Sequence, residues 1–214
     1  WNSKGTNNFL DSGLTTADSV TDAPSDSSAD DIGNFCTWNP LSEGGNSSNI
    51  MTYSEGNLTV VASGGFANTP YGTILTGGSG KFYFEVTATN IVASGNDNIG
   101  VASKTPKVND NDVFSAFSTT KADGFGYSSD GDKTDNDGTT STYGDAYTDG
   151  DIIGVAIDLD NTAIYFSKNG TYQDSGDPTS GASKTGAAFT DVNAAGGYTP
   201  CASAGNGGYQ IALN

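Results

Sequence analysis

Short runs of alternating or continuously apolar residues recur along this chain, separated by clusters of Gly, Asn, Asp, Ser and Thr. Residues 81–89 (KFYFEVTAT) are the clearest case: Phe82, Phe84 and Val86 alternate with Tyr83, Glu85 and Thr87. A period of two places alternate side chains on opposite faces, so the run predicts a strand with one buried face. Residues 151–159 (DIIGVAIDL) are almost wholly apolar, as a strand buried on both faces requires. Residues 162–167 alternate again, after a turn signal at Asp160-Asn161. Asn169-Gly170 then predicts a tight hairpin, because both residues tolerate positive φ. Further strands are predicted at 57–62, 71–75, 98–102, 124–127, 198–203 and 209–213, and one over 35–41 that stops at Pro40. No segment carries a helical period beyond one turn. Many short strands at regular spacing imply an all-β sandwich.

Residues 1–33 lack any sustained period, and their apolar residues (Phe9, Leu10, Leu14, Val20, Ile32) are scattered. They read as an extended arm or linker, giving two parts: an arm at 1–40 and a sandwich at 41–214. The chain begins at Trp1 rather than at an initiator Met, and is expected to be a fragment or processed product.

Charge narrows the function classes. Eight lysines face 25 acids, for a formal net charge of −17, and there is neither Arg nor His. Nucleic-acid binding and attachment to anionic membranes both need clustered cations, so neither is expected. An acid excess suits solubility, high salt such as seawater, and divalent cations. The lack of His removes the commonest general base, the Ser-His-Asp triad and His-based zinc sites. No matched pair of carboxylates stands out for glycoside hydrolysis, and the chain is not expected to be an enzyme. No apolar run approaches the roughly 20 residues of a membrane-spanning helix. Cys36 and Cys201 fit either a disulfide between neighbouring terminal strands or two buried thiols. The sequons at Asn46, Asn57 and Asn169 are the chance matches that frequent Asn, Ser and Thr produce.

Two loop features are candidate sites. Residues 129–138 (SDGDKTDNDG) hold four aspartates, Asp130, Asp132, Asp135 and Asp137. Hard cations want several oxygens on a flexible loop, so calcium is the cofactor such a loop would hold. The register of an EF-hand loop is broken, with Thr134 at the third ligand position and no Glu at the bidentate one. The other reading is a solvated acidic loop. A smaller cluster lies at 109–112 (NDND). Tyr127, Tyr143 and Tyr147 flank the acidic loop. As amphipathic rings they either stack on a sugar or protein ligand or cap the sandwich core.

The order of motifs resembles a known family. It runs GKFYFEV at 80–86, IGVA at 99–102, GFGY at 124–127, G-D-x-I-G-V at 150–155, F-x-K-N-G at 166–170 and YTP at 198–200. This is similar to the SPRY domain, the core of B30.2 domains, over about residues 41–214. The resemblance implies an antiparallel, concanavalin-like sandwich of the jelly-roll type, and protein or peptide recognition by loops at one end. Gly150-Asp151, Gly154 and Asn169-Gly170 are expected to define the fold: two turns, and a close approach by a facing aromatic at Gly154. Residues 18–24 and 34–41 resemble the segment preceding SPRY-like domains in tail and other virion proteins of marine bacteriophages. That resemblance implies a multicopy virion or tail-fibre component, touching other virion subunits or a host-surface protein or glycan. The alternative is a secreted or cell-surface adhesin or surface-layer module that binds glycans or calcium.

Overall fold

The computed structural model describes residues 35–44, 50–63, 69–91, 97–103, 124–192, 196–203 and 209–214. The arm at 1–34 and the acidic cluster at 109–112 lie outside the described residues. Thr37–Asn214 form one compact unit. It therefore takes in Trp38, a fully buried ring that the sequence had assigned to the arm.

Among the described residues fourteen strands form two antiparallel sheets of seven. The first sheet contains β1 (Trp38–Gly44), β4 (Thr69–Gly72), β13 (Tyr198–Ser203), β6 (Asn98–Ser103), β7 (Gly124–Ser128), β8 (Asp132–Thr134) and β9 (Thr140–Thr142), in that spatial order. The second contains β12 (Thr171–Tyr172), β11 (Ala163–Lys168), β10 (Ile152–Asp158), β5 (Lys81–Thr89), β14 (Gln210–Leu213), β3 (Thr59–Ser63) and β2 (Ile50–Ser54). The predicted β-sandwich is present.

Alternation places the core. Val86, Ile153, Val155, Ile164 and Phe166 from one sheet and Ile99 and Val101 from the other are fully buried. The nearly all-apolar β10 is flanked on both sides, by β5 and β11, and lies in the middle of its sheet. Phe166 stacks on Tyr127 of the facing sheet, with ring centroids 5.5 Å apart. Phe189, from the segment after β12, closes the same cluster at 4.8 Å from Phe125.

Two strand boundaries need correction. The strand at Pro40 does not stop there: β1 runs on to Gly44 with a register shift between Trp38 and Glu43. β1 is an edge strand, where a proline costs no ladder bond and a bulge absorbs the irregularity. The run expected at 71–75 is β4, which starts at Thr69 and ends at Gly72. Beyond it the Thr73 and Thr76 amides donate to Thr37 and Tyr198, and Ile74 and Leu75 are exposed.

At the β11–β12 hairpin Asn169 and Gly170 both take positive φ, 50° and 78°, the conformation that Asn-Gly predicts. An acidic side chain secures the other end of the sheet. Asp158 accepts from Lys81 Nζ on β5, and from the Asn161 backbone and side chain in the β10–β11 turn.

Gly100 is the tightest point between strands. A Cβ there would lie 2.0 Å from the Phe125 carbonyl and 2.8 Å from the Gly126 Cα, so only glycine lets β6 and β7 meet. Gly100→Ala must push backbone apart rather than rotate a side chain. It is expected to lower unfolding stability by about 3 kcal/mol, as overpacking of a filled core does. Urea denaturation checks this against Gly77→Ala, whose added Cβ meets only an ordinary contact at 3.7 Å.

Candidate functional site

The two most specific motifs meet each other. Asp151 opens β10 and accepts hydrogen bonds from the Thr148 amide at 2.8 Å and from Asn169 Nδ2 at 2.7 Å. Lys168 Nζ stands 3.3 Å from the same carboxylate. Asn169 in turn accepts from the Ile152 amide at 2.9 Å and donates its own amide to the Ile152 carbonyl at 2.8 Å. G-D-x-I-G-V and F-x-K-N-G are thus two halves of one turn lock. Gly154 meets its expectation too: a Cβ there would lie 2.5 Å from the Tyr83 hydroxyl.

Tyr127, Tyr143 and Tyr147 come together, but not as a ligand platform. They are 0, 9 and 0% exposed, so the expectation of a stacking surface is corrected. The Tyr127 ring contacts Tyr143 and Tyr147 at 5.9 and 5.5 Å. Each hydroxyl donates to a main-chain carbonyl: Tyr127 to Asp145, Tyr143 to Gly186 at 3.1 Å, Tyr147 to Asp97 at 2.8 Å. Burial drives all three phenols above their ordinary range, which keeps them neutral donors. Their task is to pin loops onto the core.

The acidic loop is a β-hairpin, β8–β9, at the edge of the first sheet. Its aspartates do not converge as a calcium site. Asp130 Oδ1 accepts from the Asp132 amide, Asp135 Oδ1 from the Asp137 and Thr139 amides, and Asp137 Oδ1 from the Thr139 amide. They cap turns, the commonest local use of Asp. Among the described residues no three Asp, Glu, Cys or His side chains gather to hold a metal. No disulfide joins Cys36 to Cys201, and burial pushes the Cys201 thiol well above its ordinary value.

A cleft of about 360 Å3 opens between this hairpin and residues 188–191. Phe125 and Phe189 form its floor, and Asp135, Ser141 and Asp191 stand on its rim. Lys133 crosses it: Nζ donates to the Ala188 carbonyl at 2.6 Å and sits 5.5 Å from the Tyr143 and Phe189 ring centroids. That distance is within cation–π range. The floor is nearly closed, so the cleft offers carboxylates, hydroxyls and an amide (Asn136) around a shallow apolar base. Such a lining recognises polar groups and holds no visible acid–base pair. Sequence reasoning missed Phe189 and Asp191, because residues 173–192 lack any regular period. It also missed Lys133, a lone cation inside an acidic run.

Two antiparallel sheets locked by these motifs make a β-sandwich with a polar cleft beside its edge hairpin. The family model described as SPRY domain matches residues 81–214. The chain belongs to the SPRY domain family, whose members are generally protein–protein interaction modules. The crystal structure of the SPRY domain of human HERC1 is similar, with a TM-score of 0.62 at 19% identity, covering 82% of this chain and 96% of that one. The comparison with curated proteins finds no match.

Acid should test the turn lock. Burial raises the Asp151 pKa, but hydrogen bonds from Thr148, Asn169 and Lys168 together with the Lys168 charge outweigh it, and the net shift is downward. A carboxyl held below its ordinary value of about 3.9 adds stability above that pH. The contribution fades as pH falls through the folded value. The melting temperature is therefore expected to drop below about pH 4, and to drop less steeply in Asp151→Asn. Parallel melts of the two proteins across pH 2–7 read this out; identical slopes would refute the lock's role.

Proposed function

We propose that this chain is a non-catalytic recognition domain of a bacteriophage virion, a tail or other appendage, that contacts a host-surface protein or glycan or a neighbouring virion subunit. The observation that carries recognition is the preformed cleft at the β8–β9 hairpin, with Asp135, Ser141 and Asp191 at its rim. The arm supports the virion setting, through the resemblance of residues 18–24 and 34–41 to the segment that precedes SPRY-like domains in marine phage tail proteins. Many copies on one particle would multiply a weak single contact into useful avidity. A charge of −17 suits an extracellular particle in salt water. The same charge also favours a second reading, a secreted adhesin or surface-layer module.

Two measurements separate these readings. Gold-labelled antibody to the domain should decorate purified virions; label on no particle rules the virion setting out and leaves the adhesin. Fluorescent chain should bind host cells, and Ser141→Trp, at an exposed edge position of the cleft, should weaken that binding about tenfold without changing the melting temperature. Unchanged binding by Ser141→Trp would move recognition away from the cleft.

A further inference from the structure

A second surface, on the outward face of β5, β10, β11 and β12, has a composition of its own. The buried Val86, Val155 and Phe166 and the half-buried Phe84 point inward, so their alternates Tyr83, Glu85, Gly154 and Ser167 lie on the opposite face. Strand register sets four residues in a row: Glu85 opposite Gly154, Gly154 opposite Ser167, and Ser167 opposite Tyr172. Adjacent strands lie about 4.8 Å apart, so the row spans roughly 14 Å. Its middle is buried: Gly154 has no side chain, Ser167 is 1% exposed, and the Tyr83 ring end covers them both.

Tyr83 leans along this row. A Cβ on Gly154 would lie 2.5 Å from the Tyr83 hydroxyl and 3.1 Å from its Cζ. The hydroxyl donates to Glu85 Oε1 at 2.7 Å, while Tyr83 is 53% exposed. Burial and the neighbouring Glu85 push the Tyr83 phenol up to about 12, so it stays a neutral donor. Tyr172 stands at the far end, its own phenol raised by burial and by the Glu85 charge. Two tyrosines therefore flank one carboxylate.

No described lysine neutralises Glu85. Lys81 is held by Asp158 and Lys168 by Asp151, while Lys133 and Lys184 donate to the carbonyls of Ala188 and Thr190.

We infer that Glu85, flanked by Tyr83 and Tyr172 above the buried Gly154 and Ser167, is a binding site for a cationic side chain on a basic segment of a partner protein. Tyrosine faces are the negative pole of the ring quadrupole, and beside a carboxylate they hold an ammonium or guanidinium group. The charge of −17 draws such a segment in. A saccharide fits less well. Its hydroxyls need donors as well as acceptors, and the Tyr83 hydroxyl is already given to Glu85. The site is separate from the cleft, and either can fail without the other.

The test uses the full chain with 13C-labelled tyrosine, titrated with an acetylated, amidated tetralysine peptide and followed by NMR. A neutral Gly-Ser peptide of equal length and maltoheptaose serve as comparison ligands. Tetralysine is expected to shift the Tyr83 and Tyr172 ring signals saturably, and less strongly as salt rises. Glu85→Gln should raise Kd about tenfold, whereas Glu55→Gln, which removes an exposed charge elsewhere, should leave it within about twofold. Tyr83→Ala should weaken binding by a similar factor, and guards against a folding defect specific to Glu85→Gln. Equal weakening by Glu85→Gln and Glu55→Gln would mean a diffuse acidic surface and overturn the site. So would unmoved ring signals, binding unchanged in Tyr83→Ala, or a response to maltoheptaose without one to tetralysine.

Discussion

The stack of Phe166 on Tyr127 is the contact on which the rest of this sandwich depends. It joins two sheets that share no strand, at a centroid distance of 5.5 Å. Only 34% of the chain is hydrophobic, so aromatic rings carry much of the burial that aliphatic residues supply elsewhere. Tyrosine suits the position because its ring packs inward while its hydroxyl satisfies a loop carbonyl. Tyr127, Tyr143 and Tyr147 repeat that solution within one cluster. The same cluster continues through Phe125 and Phe189 to become the floor of the cleft. The shape of the cleft is thus set by the interior beneath it.

Much of the fold was legible in the sequence, for identifiable reasons. β5 and β10 announced themselves by alternation and by continuous apolarity, and Asn169-Gly170 by backbone chemistry. Among the strands that failed to show were β8 and the edge strand β9, made of Asp, Lys, Thr and Ser, and nothing in their pattern distinguishes them from a loop. Pro40 misled because a proline is compatible with an edge strand as well as with a stop.

The site was less legible than the fold. The three tyrosines lay where the sequence suggested, beside the acidic run, but exposure depends on the facing sheet and cannot be read from spacing. Asp130, Asp135 and Asp137 fell into turn geometry because each found a backbone amide two to four residues on, leaving no shared centre. Phe189 and Asp191 come from a segment without periodicity, and only the folded chain brings them opposite Ser141. The turn-lock residues Asp151 and Asn169 and the cleft-rim residues Asp135, Ser141 and Asp191 thus occupy different positions, as expected when one scaffold serves many partners.

The acidic hairpin has one more consequence. Among the described residues β9 ends its sheet with three exposed residues, presenting a row of amides and carbonyls of the kind that templates strand addition. Asp130, Asp132, Asp135 and Asp137 crowd negative charge beside that row. A second copy approaching edge to edge would bring the same charges with it. Carboxylates that first suggested a metal ligand set thus stand where negative charge opposes edge-to-edge pairing of like chains.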